Sequence, residues 1–322
     1  MRRGLLLPLA TLAALVLAAP AWAQEPPAPA PATPLVPEGV TIAGVSVGGM
    51  ASEQATLTVQ AFFNRHFLLT FRTRTWDVRP ARLGARADVA GAVAQAFASA
   101  PYSALPLVVT VDRAKLKAYV TRIAVAIYRA PRNSIAVLRD LRPIVTQPRD
   151  GLALTKLDTR VLIRNALVAH QRGPLEVVTH PLKPQITQEN FGPVIVIRRG
   201  SRRLYLYNGE RFWRTFGVAV GQSSYPTPLG RWRIVVKARN PWWYPPDSPW
   251  AQGASPIPPG PGNPLGTRWM GLNASGVGIH GTPDAASIGY SASHGCIRMR
   301  IPEAEWLFTR VRIGTPVFIV RA

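Results

Sequence analysis

The 322-residue chain contains one cysteine, four methionines and 16 acidic residues against 38 Lys and Arg. A single thiol excludes any intrachain disulfide and leaves Cys296 free for chemistry. The shortage of carboxylates leaves a formal net charge of +22, a surface drawn to polyanions. Beyond the N-terminus no apolar run reaches the roughly 18 residues a membrane span needs. Residues 40–182 contain no metal-ligand cluster, no phosphate-binding loop and no nucleophile beside a base.

What is present gathers near the end, in His280-Gly281-Thr282-Pro283 and then Ser293-His294-Gly295-Cys296-Ile297-Arg298-Met299. A free thiol titrates near 8.5 and becomes nucleophilic around neutrality when an imidazole or cation favours the thiolate. His280 stands sixteen residues before Cys296, room for an outgoing and a returning segment joined by a loop. Val277-Gly278-Ile279 reads as a short strand delivering that histidine to a surface. The set reads as a thiolate nucleophile with a general base. His294 reads as an orienting or donating group, and the N–H groups of Gly295 and Cys296 as donors to a developing oxyanion. Two blander readings compete. An inert thiol would sit among apolar residues, whereas Cys296 follows Ser, His and Gly. A zinc site of His280, His294 and Cys296 would lack an evident fourth ligand and has no finger or ribbon spacing.

This pattern resembles the active-site signature of the L,D-transpeptidases of the YkuD type, enzymes that cross-link bacterial peptidoglycan. A second block, Gly221-Gln222-Ser223-Ser224-Tyr225-Pro226-Thr227-Pro228-Leu229-Gly230, is similar to the family's G-x(4)-P-T-P-x-G stretch. The resemblance covers residues 192–322 and implies Cys296 as nucleophile and His280 as base, held by the backbone carbonyl of Gly281. His294, Gly295 and Arg298 fall on the remaining signature positions. Arg298, Ser293, Tyr225, Trp243 and Trp269 are the candidates for substrate contact, and no metal or organic cofactor is required. The implied reaction is attack on the tetrapeptide stem with loss of D-alanine, then 3→3 cross-linking by a second stem. Ile301-Pro302-Glu303 stands where many members have Asn and Asp, a departure that touches a local cap and not the chemistry.

Taken in order, Arg2 and Arg3, an apolar run and Ala21-Trp22-Ala23 read as a signal peptide over 1–23, so the protein is expected outside the cytoplasmic membrane, in periplasm or wall. Residues 24–38 are Pro-rich and read as a disordered spacer that belongs to no core. Residues 39–190 read as an α+β domain. Thr41 to Val47 alternates like a strand, Ser52 suits an N-cap, and Ala55, Val59, Phe62 and Phe63 share a helical face. Further helices are expected at Val89 to Phe97, from Asp112 through Ile127, and at Asp158 to His170, then a strand at Leu175 to Thr179. Gly44-Val45-Ser46-Val47-Gly48-Gly49-Met50, the Trp76 strand and Pro106 to Asp112 resemble the peptidoglycan-binding domain that accompanies some YkuD domains. His66, His170 and His180 read as surface or satisfied histidines.

Residues 191–322 read as mainly β, a sandwich or barrel with one short helix at Pro302 to Arg310. Asn208-Gly209 marks a hairpin, and Trp232, Ile234 and Val236 are expected on one face of a strand. The Pro-, Gly- and Trp-rich stretch 240–270 reads either as a groove wall beside Cys296 or as a plug of the barrel. For an exported cationic protein the expected partners are peptidoglycan stems and anionic wall polymers. Nucleic acid is discounted despite a pI near 11.5, and no stable protein partner is predicted. A hydrolase using water as acceptor and a non-catalytic wall-binding protein remain the alternatives.

Overall fold

The computed structural model describes residues 33–322. The signal segment and residues 24–32 of the spacer lie outside the described residues. The spacer's end does not match expectation: Val36 is 2% exposed and its N–H donates to the Met50 carbonyl at 3.0 Å. An apolar side chain between prolines is still worth burying when a wall is within reach.

The chain divides into two compact units. The first comprises the described residues up to Arg65 together with Ala87–Val109. Its helices Ser52–Asn64 and Val89–Phe97 bury Ala55, Val59 and Phe63 from one and Ala92, Val93 and Ala96 from the other. Asp88 caps the second helix through Gly91 N–H, whereas Ala51, not Ser52, is the N-cap of the first. The strand expected over Thr41 to Val47 is a tight hairpin, Thr41–Ile42 with Val45–Ser46. Ala43 and Gly44 both have positive φ, the requirement of a type I′ turn, which alternation alone does not reveal.

The second unit comprises His66–Arg86 and Thr110–Ala322. Helix Arg113–Ile127, capped by Asp112 through the N–H groups of Ala114 and Lys115, buries Leu116, Val120, Ile123 and Ile127. It packs on helix Lys156–Val168. The strand expected from Leu175 to Thr179 is two: Leu175–Glu176 pairs parallel with Phe67–Phe71, and Thr179–Leu182 antiparallel with Gly151–Leu154. His66 and His180 are satisfied by Asp77 and Thr155.

The rest of this unit is organised by an eight-stranded sheet: β1 Pro193–Arg198, β2 Arg203–Asn208, β3 Arg211–Gly217, β4 Gly230–Arg239, β5 Arg268–Leu272, β6 Gly278–Thr282, β7 Ile297–Arg300 and β8 Pro316–Val320. The spatial order is β3-β2-β1-β8-β4-β5-β6-β7, with β1/β8 and β6/β7 parallel and the other pairs antiparallel. Just past β3, Ala219 exchanges two 3.0 Å backbone bonds with Arg298 of β7, so the sheet nearly closes into a barrel. Helix Ile301–Arg310 helps fill the remaining gap: Trp306 lies 5.7 Å from both Trp213 and Phe216 of β3. The enclosed core runs from Ile195 and Leu204 through Ile234, Ile279 and Ile297 to Val317. On the outside, hairpin Ala136–Arg139/Arg142–Val145 covers Val194, Val196, Tyr207 and Phe318.

Val236 departs from the expected face. The β4/β5 register shifts between Ile234 and Val236, so Ile234 is buried while Val236 is 46% exposed. A bulge turns the second half of β4 over, as one extra residue must when the side-chain period is two.

Candidate active site

The site is assembled on the parallel pair β6/β7. His280 is in register with Arg298, and Ile279 with Ile297. Ile279, Ile297 and Met299 point into the barrel core, so period-two alternation sends His280 and Arg298 to the opposite face, and Cys296 continues that row. His280 does not sit at an open surface as expected. It is 4% exposed, with the Trp269 ring 5.8 Å from its own as its cross-strand neighbour.

His280 Nδ1 lies 2.6 Å from the Gly281 carbonyl, which accepts a hydrogen bond from Nδ1–H and leaves Nε2 as the free acceptor. Burial pushes the imidazole down to about 4, offset in part by that backbone bond, with the Arg298 charge adding to the fall. The half-buried Cys296 thiol is pushed up by burial, against the pull of a Gly278 backbone bond and of Arg298. At rest Cys296 Sγ donates to the Gly276 carbonyl at 3.3 Å. Near neutrality the pair is therefore thiol and neutral imidazole. Arg298 is held by Asp284, 3.7 Å away.

The turn before Cys296 depends on Ser293. Its hydroxyl donates to the Cys296 carbonyl at 2.5 Å and accepts from Gly295 N–H at 3.2 Å, while Gly295 takes φ +111°. Ser293 is 1% exposed, so the expected substrate contact is replaced by an internal clamp. Gly295 N–H is likewise occupied and is not the free oxyanion donor it was expected to be.

The upstream block meets this turn directly. Gly221 pairs with Ser293, and Gln222 N–H donates to the Ser293 carbonyl at 2.9 Å. The buried Thr227 hydroxyl accepts from Gly221 N–H at 2.8 Å, closing the loop. A Cβ on Gly221 would come within 2.1 Å of the Tyr225 carbonyl oxygen, which explains the glycine. The loop aims Tyr225 at His294, with ring centroids 5.1 Å apart and edge to face.

Segment 240–267 is ordered by Asn263, fully buried, whose Nδ2 reaches the carbonyls of Pro241, Ile257 and Pro258. It carries Trp250 onto the exposed His294, with centroids 4.0 Å apart and planes 10° from parallel. Trp243 lies behind, 6.4 Å from Trp250. Partial burial lowers the His294 pKa, and Arg298 adds to this. The stretch is thus a wall beside the cysteine turn and not a plug: Trp242 and Tyr244 are more than half exposed.

Residues 192–319 match the family model described as YkuD, the L,D-transpeptidase catalytic domain, and 76–176 match "Putative peptidoglycan binding domain". The Bacillus subtilis protein "Putative L,D-transpeptidase YqjB" is 34% identical over 132 residues, 39% of this chain and 70% of YqjB. The chain belongs to the L,D-transpeptidases of the YkuD family. Escherichia coli "Probable L,D-transpeptidase YbiS" is 35% identical over 137 residues, 38% of this chain and 43% of YbiS. Among solved structures, Enterococcus faecium L,D-transpeptidase aligns over 84% of this chain and all of its own at 16% identity and a TM-score of 0.36.

In this L,D-transpeptidase chain the fold brings together Cys296, His280, Gly281, His294, Arg298, Tyr225 and Trp269. Three participants escaped sequence reading. Gly276, whose carbonyl accepts the hydrogen bond from the thiol, and Gly278, over which the Trp269 ring lies, have no side chain to signal them. Asp284, the partner of Arg298, is one of the few acidic residues and stands two positions past Thr282, which was the available signal.

Proposed function

We propose that the chain is an exported peptidoglycan L,D-transpeptidase that forms 3→3 cross-links through a Cys296 thioacyl-enzyme. The observation that carries this reading is the bond from His280 Nδ1 to the Gly281 carbonyl beside the Cys296 turn, because it leaves Nε2 as a base. Cys296 Sγ attacks the carbonyl joining the L-centre of a diamino acid to terminal D-alanine, and its proton passes to Nε2. The C–N bond breaks, D-alanine leaves with that proton, and a thioester remains. An amine of a second stem attacks the thioester, His280 takes its proton, and the proton returns to sulfur as the cross-link forms. With Gly295 N–H occupied by Ser293, Cys296 N–H is assigned as the backbone donor to the oxyanion. Arg298, on the same face, favours the developing thiolate. Residues 39–190 are assigned to peptidoglycan binding, in keeping with the family match over 76–176. An extracytoplasmic location follows from that substrate. No helix among the described residues is long and apolar enough to cross a membrane.

The test is intact-mass spectrometry of wild type and Cys296→Ala after exposure to a carbapenem and to disaccharide-tetrapeptide. A covalent adduct in wild type alone, with dimer formed and D-alanine released, is the expected result. An adduct on the Ala variant removes Cys296 as nucleophile, and stem cleavage without dimers makes water the acceptor.

A further inference from the structure

On the outer face of the sheet, three and four strands from β7 in the strand order, β4 and β8 form one wall of a cleft of about 520 Å³. The volume is that of a small-ligand site. Arg231 and Arg233, two residues apart on β4, are in register with Phe318 and Pro316 of β8 and so share the outer face. Arg312 completes the set, fixed by donating to the Phe191 carbonyl at 2.8 Å. None of these three guanidiniums has a carboxylate within 4.0 Å among the described residues. Arg231 instead lies over the Phe318 ring at 5.8 Å. Between the cations the lining is apolar, with Ile135, Phe191 and Ile313, and the buried Ser134 hydroxyl in the wall has no protein partner.

Three like charges converging on one concavity repel one another unless an anion sits between them, and guanidinium matches carboxylate geometry in a two-pronged contact. Apolar patches between the cations suit short aliphatic side chains and not a bare inorganic anion. We propose that this cleft is a second, non-catalytic binding site for a carboxylate-bearing peptidoglycan stem peptide, with Arg231, Arg233 and Arg312 as its carboxylate receptors. This rests on the transpeptidase reading for the source of the peptide. Occupancy would hold the enzyme on uncut wall while Cys296 engages another stem, because two linked contacts raise the effective concentration of the second.

The test uses the full chain with its only thiol blocked by iodoacetamide, so that nothing turns over. Isoleucine δ1-methyl NMR signals of Ile135 and Ile313 are followed during titration with disaccharide-tetrapeptide. Saturable shifts are expected, at least tenfold weaker in Arg231→Gln/Arg233→Gln and in Arg312→Gln, with other methyl signals unmoved as the check on folding. The same muropeptide with amidated carboxylates should produce no shift. Equal binding by the amidated ligand, full competition by an equal concentration of inorganic phosphate, or absence of any shift overturns the proposal. None of these results depends on turnover, and the unblocked Arg231→Gln/Arg233→Gln variant should still be acylated at Cys296. Failure here is therefore distinct from failure of the transpeptidase reading.

Discussion

A thiol pushed up by burial and an imidazole pushed down to about 4 exchange no proton at rest. Proton transfer must then accompany attack, and the base is competent wherever His280 is neutral. Carbapenem acylation, followed by intact mass from pH 3.5 to 8, should lose rate on acidification near pH 4; a limb near 6.5 would contradict the buried-base account. The same shift has a stability consequence. The folded state releases the His280 proton more readily than the unfolded state, so unfolding takes up a proton between about pH 6.5 and 4 and stability falls as pH drops through that window. The full loss is ~3 kcal/mol. Urea titrations at several pH values should show this slope in wild type and its absence in His280→Gln. Ser293 acts through geometry. Ser293→Ala leaves Cys296 O and Gly295 N without their buried partner, at a cost of about 1–3 kcal/mol. Melting temperature should fall and acylation should slow; an unchanged acylation rate would mean that the clamp does not position the thiol.

Among the elements, the 240–267 excursion and the 221–230 loop both converge on His294, one through Trp250 and the other through Tyr225. Removing the stacked ring in Trp250→Ala uncovers the one shielded face of His294 and lessens the partial burial that is the main cause of its lowered pKa. An NMR titration of His294 should then show a value raised toward 6.5, and an unmoved value would mean that the stack does not shield it. At Gly221 the neighbours are backbone atoms, which cannot swing aside, so Gly221→Ala should overpack the loop by about 1–3 kcal/mol. Chemical denaturation of that variant measures the cost directly. Legibility in the sequence follows the same division. Strands with strong alternation, the Asp112 cap and the cysteine turn could be read because each is specified by residues adjacent in the chain. The hairpin at Ala43-Gly44, the bulge after Ile234 and the carbonyls gathered by Asn263 depend on φ angles, register or distant partners, which adjacent residues do not encode. Ser293 shows the limit within a motif. Its position was legible, but its role was not, because only the folded turn brings its hydroxyl onto the Cys296 carbonyl.

Across the whole molecule, 38 cationic side chains face 16 anionic ones, and several guanidiniums are spent over aromatic rings instead of on carboxylates. Arg310 lies 3.8 Å above Trp306, Arg198 4.3 Å above Tyr205 and Arg214 4.9 Å from Trp306. Such contacts fix the side chains without neutralising them, so the positive field remains directed outward. A polyanionic wall would be met by that field before any specific contact forms, and screening would remove it. The Debye length shrinks from about 30 Å at 0.01 M salt to about 10 Å at 0.1 M. Co-sedimentation of Cys296→Ala with isolated sacculi should therefore weaken steeply over that range. A salt-insensitive remainder is expected where the aromatic wall and the peptidoglycan-binding segment supply short-range contacts that ions do not screen. Binding that disappears entirely by 0.1 M would mean that charge alone recruits the protein, and binding indifferent to salt would mean that the net charge has no part in it. Acylation of Cys296 by a neutral small electrophile should not follow the same curve, because Cys296 and His280 are positioned by the β6/β7 strand pair whatever the long-range field.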